Sequence, residues 1–122
     1  MSDQRKDSRK KLMAFTPVYD FISHALLGYV GNINLSGVMV VGEHAVEVGR
    51  DLTLHIELPE SLLDKPNQNL LMPARVAWCK EEAAVKSFTV GCEFTNVTAE
   101  QQETIEAILE RYHFKYEQLE IT

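Results

Sequence analysis

Apolar and polar residues alternate without a break through Leu52-Thr53-Leu54-His55-Ile56-Glu57-Leu58, and again through Phe88-Thr89-Val90-Gly91-Cys92-Glu93-Phe94-Thr95. A repeat of two is the period of a strand with one buried face. Each segment therefore predicts a strand, the second with Phe88, Val90, Cys92 and Phe94 turned to the core. Between them, Leu70 to Cys79 predicts another strand, with Ala74, Val76 and Trp78 on one face. Upstream, Leu12 to Phe21 predicts a strand that Pro17 restricts to an edge or a bulge, since proline donates no ladder hydrogen bond. After a turn at Ser23-His24, Ala25 to Asn34 and Val38 to Val41 predict a hairpin closed by Asn34-Leu35-Ser36-Gly37.

The connections are Glu43 to Arg50, which follows Gly42 and contains Gly49, an exposed loop from Glu60 to Asn69 containing Pro66-Asn67, and the charged stretch Lys80 to Ser87. Six strands in succession with no helix between them favour an antiparallel sheet, and closure into a small barrel is the way such a sheet hides its edges. The period then changes. Thr98-Ala99-Glu100-Gln101 has the spacing of a capping box, in which the threonine hydroxyl accepts from a first-turn amide and the glutamine reaches back. A helix follows, with Ile105, Ile108, Leu109 and Tyr112 as an apolar stripe and Glu100, Glu103, Glu106 and Glu110 toward water. His113 to Thr122 either extends it through Phe114 and Tyr116 or frays. The fold class expected is all-β with a C-terminal helix, a six-stranded antiparallel barrel. Its expected organisation is an arm over 1–11, the barrel with a helix from about 99 over 12–116, and a tail over 117–122.

Composition fits one domain: 122 residues, 45% hydrophobic and 25% charged. No run of about 18 apolar residues is present, and the charged N-terminus lacks the apolar segment of a secretory signal, so a cytoplasmic protein without membrane insertion is expected. Cys79 and Cys92 fall in strand-like segments without paired-thiol spacing, which predicts reduced structural thiols. Charge is unevenly placed. Residues 1–11 hold five of the twelve bases (Arg5, Lys6, Arg9, Lys10, Lys11) against Asp3 and Asp7, so the arm is +3 and the remainder must be −9 to reach the net −6. A basic arm on an acidic body points to a polyanionic partner for the arm, to contact with its own body, or to a solvated end.

Catalytic patterns are missing. His24, His44, His55 and His113 are scattered, with no i, i+4 spacing and no cysteine nearby, so neither a metal site nor an activated nucleophile is expected. No phosphate-binding glycine loop and no Gly-x-Ser-x-Gly occur, and the chain is not expected to be an enzyme or to carry a cofactor. The stretch with chemical potential is Asn32 to Gly37. In a strand Asn32 and Asn34 share one face while Ile33 and Leu35 take the other, and Gly37 supplies either a positive φ or a close approach. Taken by itself, this stretch reads first as a plain hairpin turn.

Arg5-Lys6-Asp7-Ser8-Arg9 matches an Arg-x-x-x-Arg motif, and Asn32-Ile33-Asn34-Leu35-Ser36-Gly37 resembles an (Asp/Asn)-x-Ser-x-x-Gly motif. Together they resemble the PilZ domain family, as do Leu26-Leu27-Gly28, Pro73-Ala74-Arg75-Val76-Ala77-Trp78, Val90-Gly91-Cys92-Glu93-Phe94 and the closing helix. The resemblance implies a PilZ-like split barrel that binds the bacterial second messenger cyclic di-GMP between the arm, with Arg5, Arg9 and Lys10, and the strand-turn, with Asn32, Asn34 and Gly37. The chemistry is apt. Arginine offers a planar fork for phosphate or for the guanine O6/N7 edge, and Asn32 offers both an acceptor and a donor. Asn34 departs from the family's usual serine, keeping hydrogen-bonding capacity but adding bulk.

Signalling would pass through a changed surface to a downstream protein, with oligomeric state left open. The alternative is a degenerate PilZ-like adaptor that binds protein but no nucleotide. A nonspecific nucleic-acid polymer is disfavoured as the arm's partner by the acidic body and by the absence of an aromatic stacking surface near the arm.

Overall fold

In the computed structural model, which describes residues 11–13, 16–58 and 69–114, strands β2 (Pro17–Asp20), β3 (Leu26–Ile33) and β4 (Gly37–Gly42) form one antiparallel meander. Strands β5 (Asp51–Glu57), β6 (Asn69–Glu82) and β7 (Ser87–Phe94) form a second. Pairing of β4 with β7 and of β2 with β5 closes the two into a six-stranded barrel, so no barrel strand is left with an open edge. The expected fold class is therefore the observed one.

Alternation in the sequence becomes alternation in burial. Leu52, Leu54 and Ile56 of β5 face inward, and they meet Leu70, Met72 and Ala74 of β6 across a register that pairs Leu54 with Met72. Helix α1 (Ala99–Arg111) adds the fully buried Ile105 and Ile108 to the same core. Its start is fixed as the sequence predicts: Thr98 Oγ1 accepts from Gln101 N at 3.1 Å, and Gln101 Oε1 accepts from Thr98 N at 3.0 Å. Gln101 Nε2 also donates to the Leu71 carbonyl at 2.8 Å, fastening the helix to β6. Removing the cap in Thr98→Ala should cost about 1 kcal/mol of stability, read as a lowered thermal midpoint; an unchanged midpoint would show that the Gln101 tether alone positions the helix.

Several local expectations change. The first predicted strand is two: β1 (Lys11–Met13) lies outside the barrel, and β2 begins at Pro17. A proline fits the first position of a strand, where its missing N–H disturbs the ladder least. The chain beyond α1 neither extends the helix nor frays at once. At Tyr112 it turns extended (φ −133, ψ 152), and β8 (Tyr112–Phe114) pairs in parallel with β1, Lys11 opposite Tyr112 and Met13 opposite Phe114. Tyr112 and Phe114 are good strand formers, and β1 offers them an unpaired backbone. Tyr116 and the rest of the tail lie outside the described residues, as does the Glu60 to Asn69 loop up to Asn69, which opens β6.

Strand β6 runs on through Lys80–Glu82 into what reads as a loop in sequence. A short 3-10 turn at Ala83–Val85 and the left-handed Lys86 (φ 53) then reverse it into β7. Val90 and Cys92 are buried as expected, whereas Phe88 and Phe94 are half-buried. Cys79 and Cys92 are free thiols, and burial, with a smaller contribution from neighbouring Cys79, pushes Cys92 up to about 11. Cys92 therefore stays a neutral packing residue at physiological pH.

Candidate functional site

The hairpin between β3 and β4 is held by one side chain. Asn34 Oδ1 accepts from Ser36 N at 2.8 Å, from Ser36 Oγ at 2.8 Å and from Gly37 N at 3.0 Å, while Asn34 N donates to the Gly37 carbonyl at 2.9 Å. An asparagine bonding its own chain two and three residues on is the mechanism by which this residue type makes turns. The turn is also sewn to the barrel, because Phe94 N donates to the Ser36 carbonyl at 2.9 Å. Leu35 consequently sits in the turn, 39% exposed, and does not share the inner face with Ile33.

Gly37 is required for close approach and not for a positive φ: it has none, and a Cβ there would overlap the Cys92 carbonyl oxygen. That resolves the two roles left open for this glycine in favour of the second.

Two β-bulges aim side chains at the surface beside this turn. In β3 the register slips between Val30 and Asn32, which oppose Val40 and Met39. Strict alternation from the buried Val30 would carry Asn32 inward and Ile33 outward. The extra residue, Gly31, reverses that phase, so Ile33 is 3% exposed in the core and Asn32 is half-exposed outside. In β6 the register slips between Val76 and Trp78, which oppose Cys92 and Gly91. Here alternation puts Trp78 in the core with Ala74 and Val76, the face predicted from sequence. The bulge instead turns it out, 44% exposed, with its indole lying on Gly91, where a Cβ would overlap the Cε2 and Nε1 atoms.

Partners in an antiparallel ladder share a face, so the register sets out the outer surface in rows. One row runs Asn32, Met39, Gly91, Trp78 across β3, β4, β7 and β6. The next runs Gly37, Glu93, Arg75, Asp51 across β4, β7, β6 and β5. Between them lies an open depression of about 270 Å³, lined among others by Asn32, Asn34, Gly37, Met39, Trp78 and Glu93. The glycines keep its floor low, the indole forms one wall and the asparagine strand-turn the other.

Among the described residues no lysine or arginine lines this depression, and its charged group is the exposed carboxylate of Glu93. Arg75, beside Glu93 on the next strand, gives its Nε to Asp51 Oδ1 at 3.0 Å. Asn32 Oδ1 accepts from Ile33 N at 2.8 Å.

Of the six residues singled out from sequence, the fold thus brings Asn32, Asn34 and Gly37 to one depression. Arg5, Arg9 and Lys10 lie outside the described residues. The root of the arm is described: Thr16, just before β2, accepts a hydrogen bond on its carbonyl from Val30 N at 2.9 Å, two residues from Asn32. The chain therefore enters the barrel beside the strand that carries the asparagines.

Sequence reasoning missed Trp78, Met39 and Glu93. The available signal was Gly91, a glycine in the middle of an alternating strand, which marks a close approach by another group.

A sequence model of the PilZ domain family matches residues 3–111. The chain belongs to this family of cyclic di-GMP receptor domains. No match was found among curated proteins or among solved structures.

Proposed function

We propose that this chain is a cyclic di-GMP receptor that holds the dinucleotide between its arginine arm and the Asn32–Gly37 strand-turn, and that signals to a downstream protein through the altered surface. The observation that carries this reading is the pair of bulges. Each turns toward one depression a side chain that alternation assigns to the core. Bulges that re-aim side chains beside a cleft are a device of binding sites.

The ligand's chemistry fits the parts. Its purines are flat and stack on an aromatic face such as Trp78, and its two phosphodiesters are anionic. With no cation lining the depression among the described residues, charge neutralisation falls to Arg5, Arg9 and Lys10, which fits a +3 arm on an acidic body. The protein acts in the cytoplasm, where this messenger is found; among the described residues no helix is long and apolar enough to cross a membrane.

One observation favours the alternative, an adaptor that binds protein and no nucleotide. Asn34, where the family usually has serine, has its carbonyl committed to the turn. Its amide group is still available as a donor at the rim. Asn34→Ser should keep the turn, since a serine oxygen also caps such turns, but its shorter hydroxyl draws the donor back from the rim and should weaken cyclic di-GMP binding up to about tenfold, the value of one hydrogen bond. Calorimetric titration of parent and variant reads this directly. Unchanged affinity would take the Asn34 amide out of the site, and a parent that binds no cyclic di-GMP would leave the adaptor.

A further inference from the structure

We infer that Glu93 is the residue that reads the base, accepting hydrogen bonds from the N1–H and 2-amino groups of a guanine stacked on Trp78. The inference rests on the dinucleotide reading above and adds to it a specificity determinant outside both motifs. Alternation along β7 turns Val90 and Cys92 inward and Gly91 and Glu93 outward. Glu93 thus stands two positions from the glycine that carries the indole, about 7 Å along the strand. A purine lying on Trp78 has its edge within reach of that carboxylate.

Three facts make the carboxylate an acceptor in waiting. First, among the described residues it has no hydrogen bond or ion pair, because the neighbouring Arg75 is turned to Asp51. Second, the amide oxygens of the depression are already in use, Asn32 Oδ1 by Ile33 N and Asn34 Oδ1 by the turn, and the Ser36 hydroxyl is turned to Asn34 Oδ1 as a donor, which leaves Glu93 the one charged acceptor among the described lining residues. Third, its charge is the wrong sign for a ligand with two phosphodiesters.

On charge alone Glu93 lowers affinity for an anionic ligand, and hydrogen-bond donors on the ligand offset that cost. An ionised carboxylate accepts and never donates. The guanine edge presents two adjacent donors that match its two oxygens. Adenine presents a lone pair at N1 and no 2-amino group, so it meets repulsion at the same place. Discrimination then comes as much from rejecting the wrong base as from binding the right one.

The test is calorimetric titration of the full chain and its Glu93→Gln variant with cyclic di-GMP, cyclic di-AMP and cyclic di-IMP, whose hypoxanthine lacks only the 2-amino group. The parent should bind cyclic di-GMP about tenfold or more tighter than cyclic di-IMP, the value of a hydrogen bond to a charged acceptor. In Glu93→Gln the affinity for cyclic di-GMP should fall by a similar factor and the ratio between the two should approach one.

A purely electrostatic role moves the other way, since removing a negative charge tightens binding of an anion. A variant that binds cyclic di-GMP as tightly as the parent or more so overturns the inference, as does a preserved ratio or a parent that does not discriminate. A parent that binds none of the three dinucleotides overturns the receptor reading and this inference together.

Discussion

The double variant Arg5→Ala/Arg9→Ala is expected to lose cyclic di-GMP binding to the limit of detection while folding like the parent. Each arginine offers a charged hydrogen-bonding fork, and losing such a bond costs about 1.5 to 3 kcal/mol, or roughly 10- to 150-fold in affinity. Two forks on one ligand are coupled, so their losses need not add; even so, about 100-fold is the lower bound expected for the pair. No substitute cation is at hand among the described residues lining the depression. Stability should change little, because the core described above is drawn from the barrel strands and α1. Calorimetry on the single and double variants, with circular dichroism melts alongside, separates binding from folding. If the double variant binds like its parent, Lys10 or another cation carries the phosphate and the arginine motif is not the clamp.

Trp78→Ala is expected to weaken binding by about 1 to 3 kcal/mol, the range for removing one base–aromatic stack, or roughly 5- to 150-fold. The indole is 44% exposed and rests on Gly91, outside the barrel core. Its loss should therefore leave the fold standing. Gly91→Val reaches the same end without touching the tryptophan, because a side chain at Gly91 overlaps the indole and must lift it from the strand. Both variants should lose affinity, and Trp78→Phe should retain a good part of it. Parental affinity in Trp78→Ala would mean that the ligand does not lie in this depression.

Much of the barrel is legible because its strands are half-buried. One face of β5 packs inside, so Leu52, Leu54 and Ile56 must recur at every second position, and the period declares the strand. The capping box at Thr98 is legible for a related reason, since the chemistry that starts the helix is contained in four consecutive residues. The bulges at Gly31 and Ala77 are different. A one-residue slip reverses the phase of everything after it, and whether a strand slips depends on the partner it pairs with. Alternation therefore assigned Trp78 to the core, and Glu93, which alternation does place outside, went unmarked without the indole beside it. It grouped Asn32 with Asn34 because it was read from the asparagines themselves, beyond the slip.

The pairing of β1 with β8 was illegible for a simpler cause: it joins the two ends of the chain, and nothing in either segment names the other. The extension of β6 through Lys80–Glu82 hides behind charged residues that suit a solvent-facing hairpin as well as a loop.

Trp78 is the chain's single tryptophan, so its intrinsic fluorescence reports on the proposed site without a label. Titration with cyclic di-GMP should quench or shift that emission saturably, with an end point matching the calorimetric stoichiometry, and the change should vanish in Arg5→Ala/Arg9→Ala. Calorimetric binding of cyclic di-GMP that leaves the Trp78 emission unaltered throughout would contradict the placement of the ligand on the outer face between Trp78 and the Asn32–Gly37 turn.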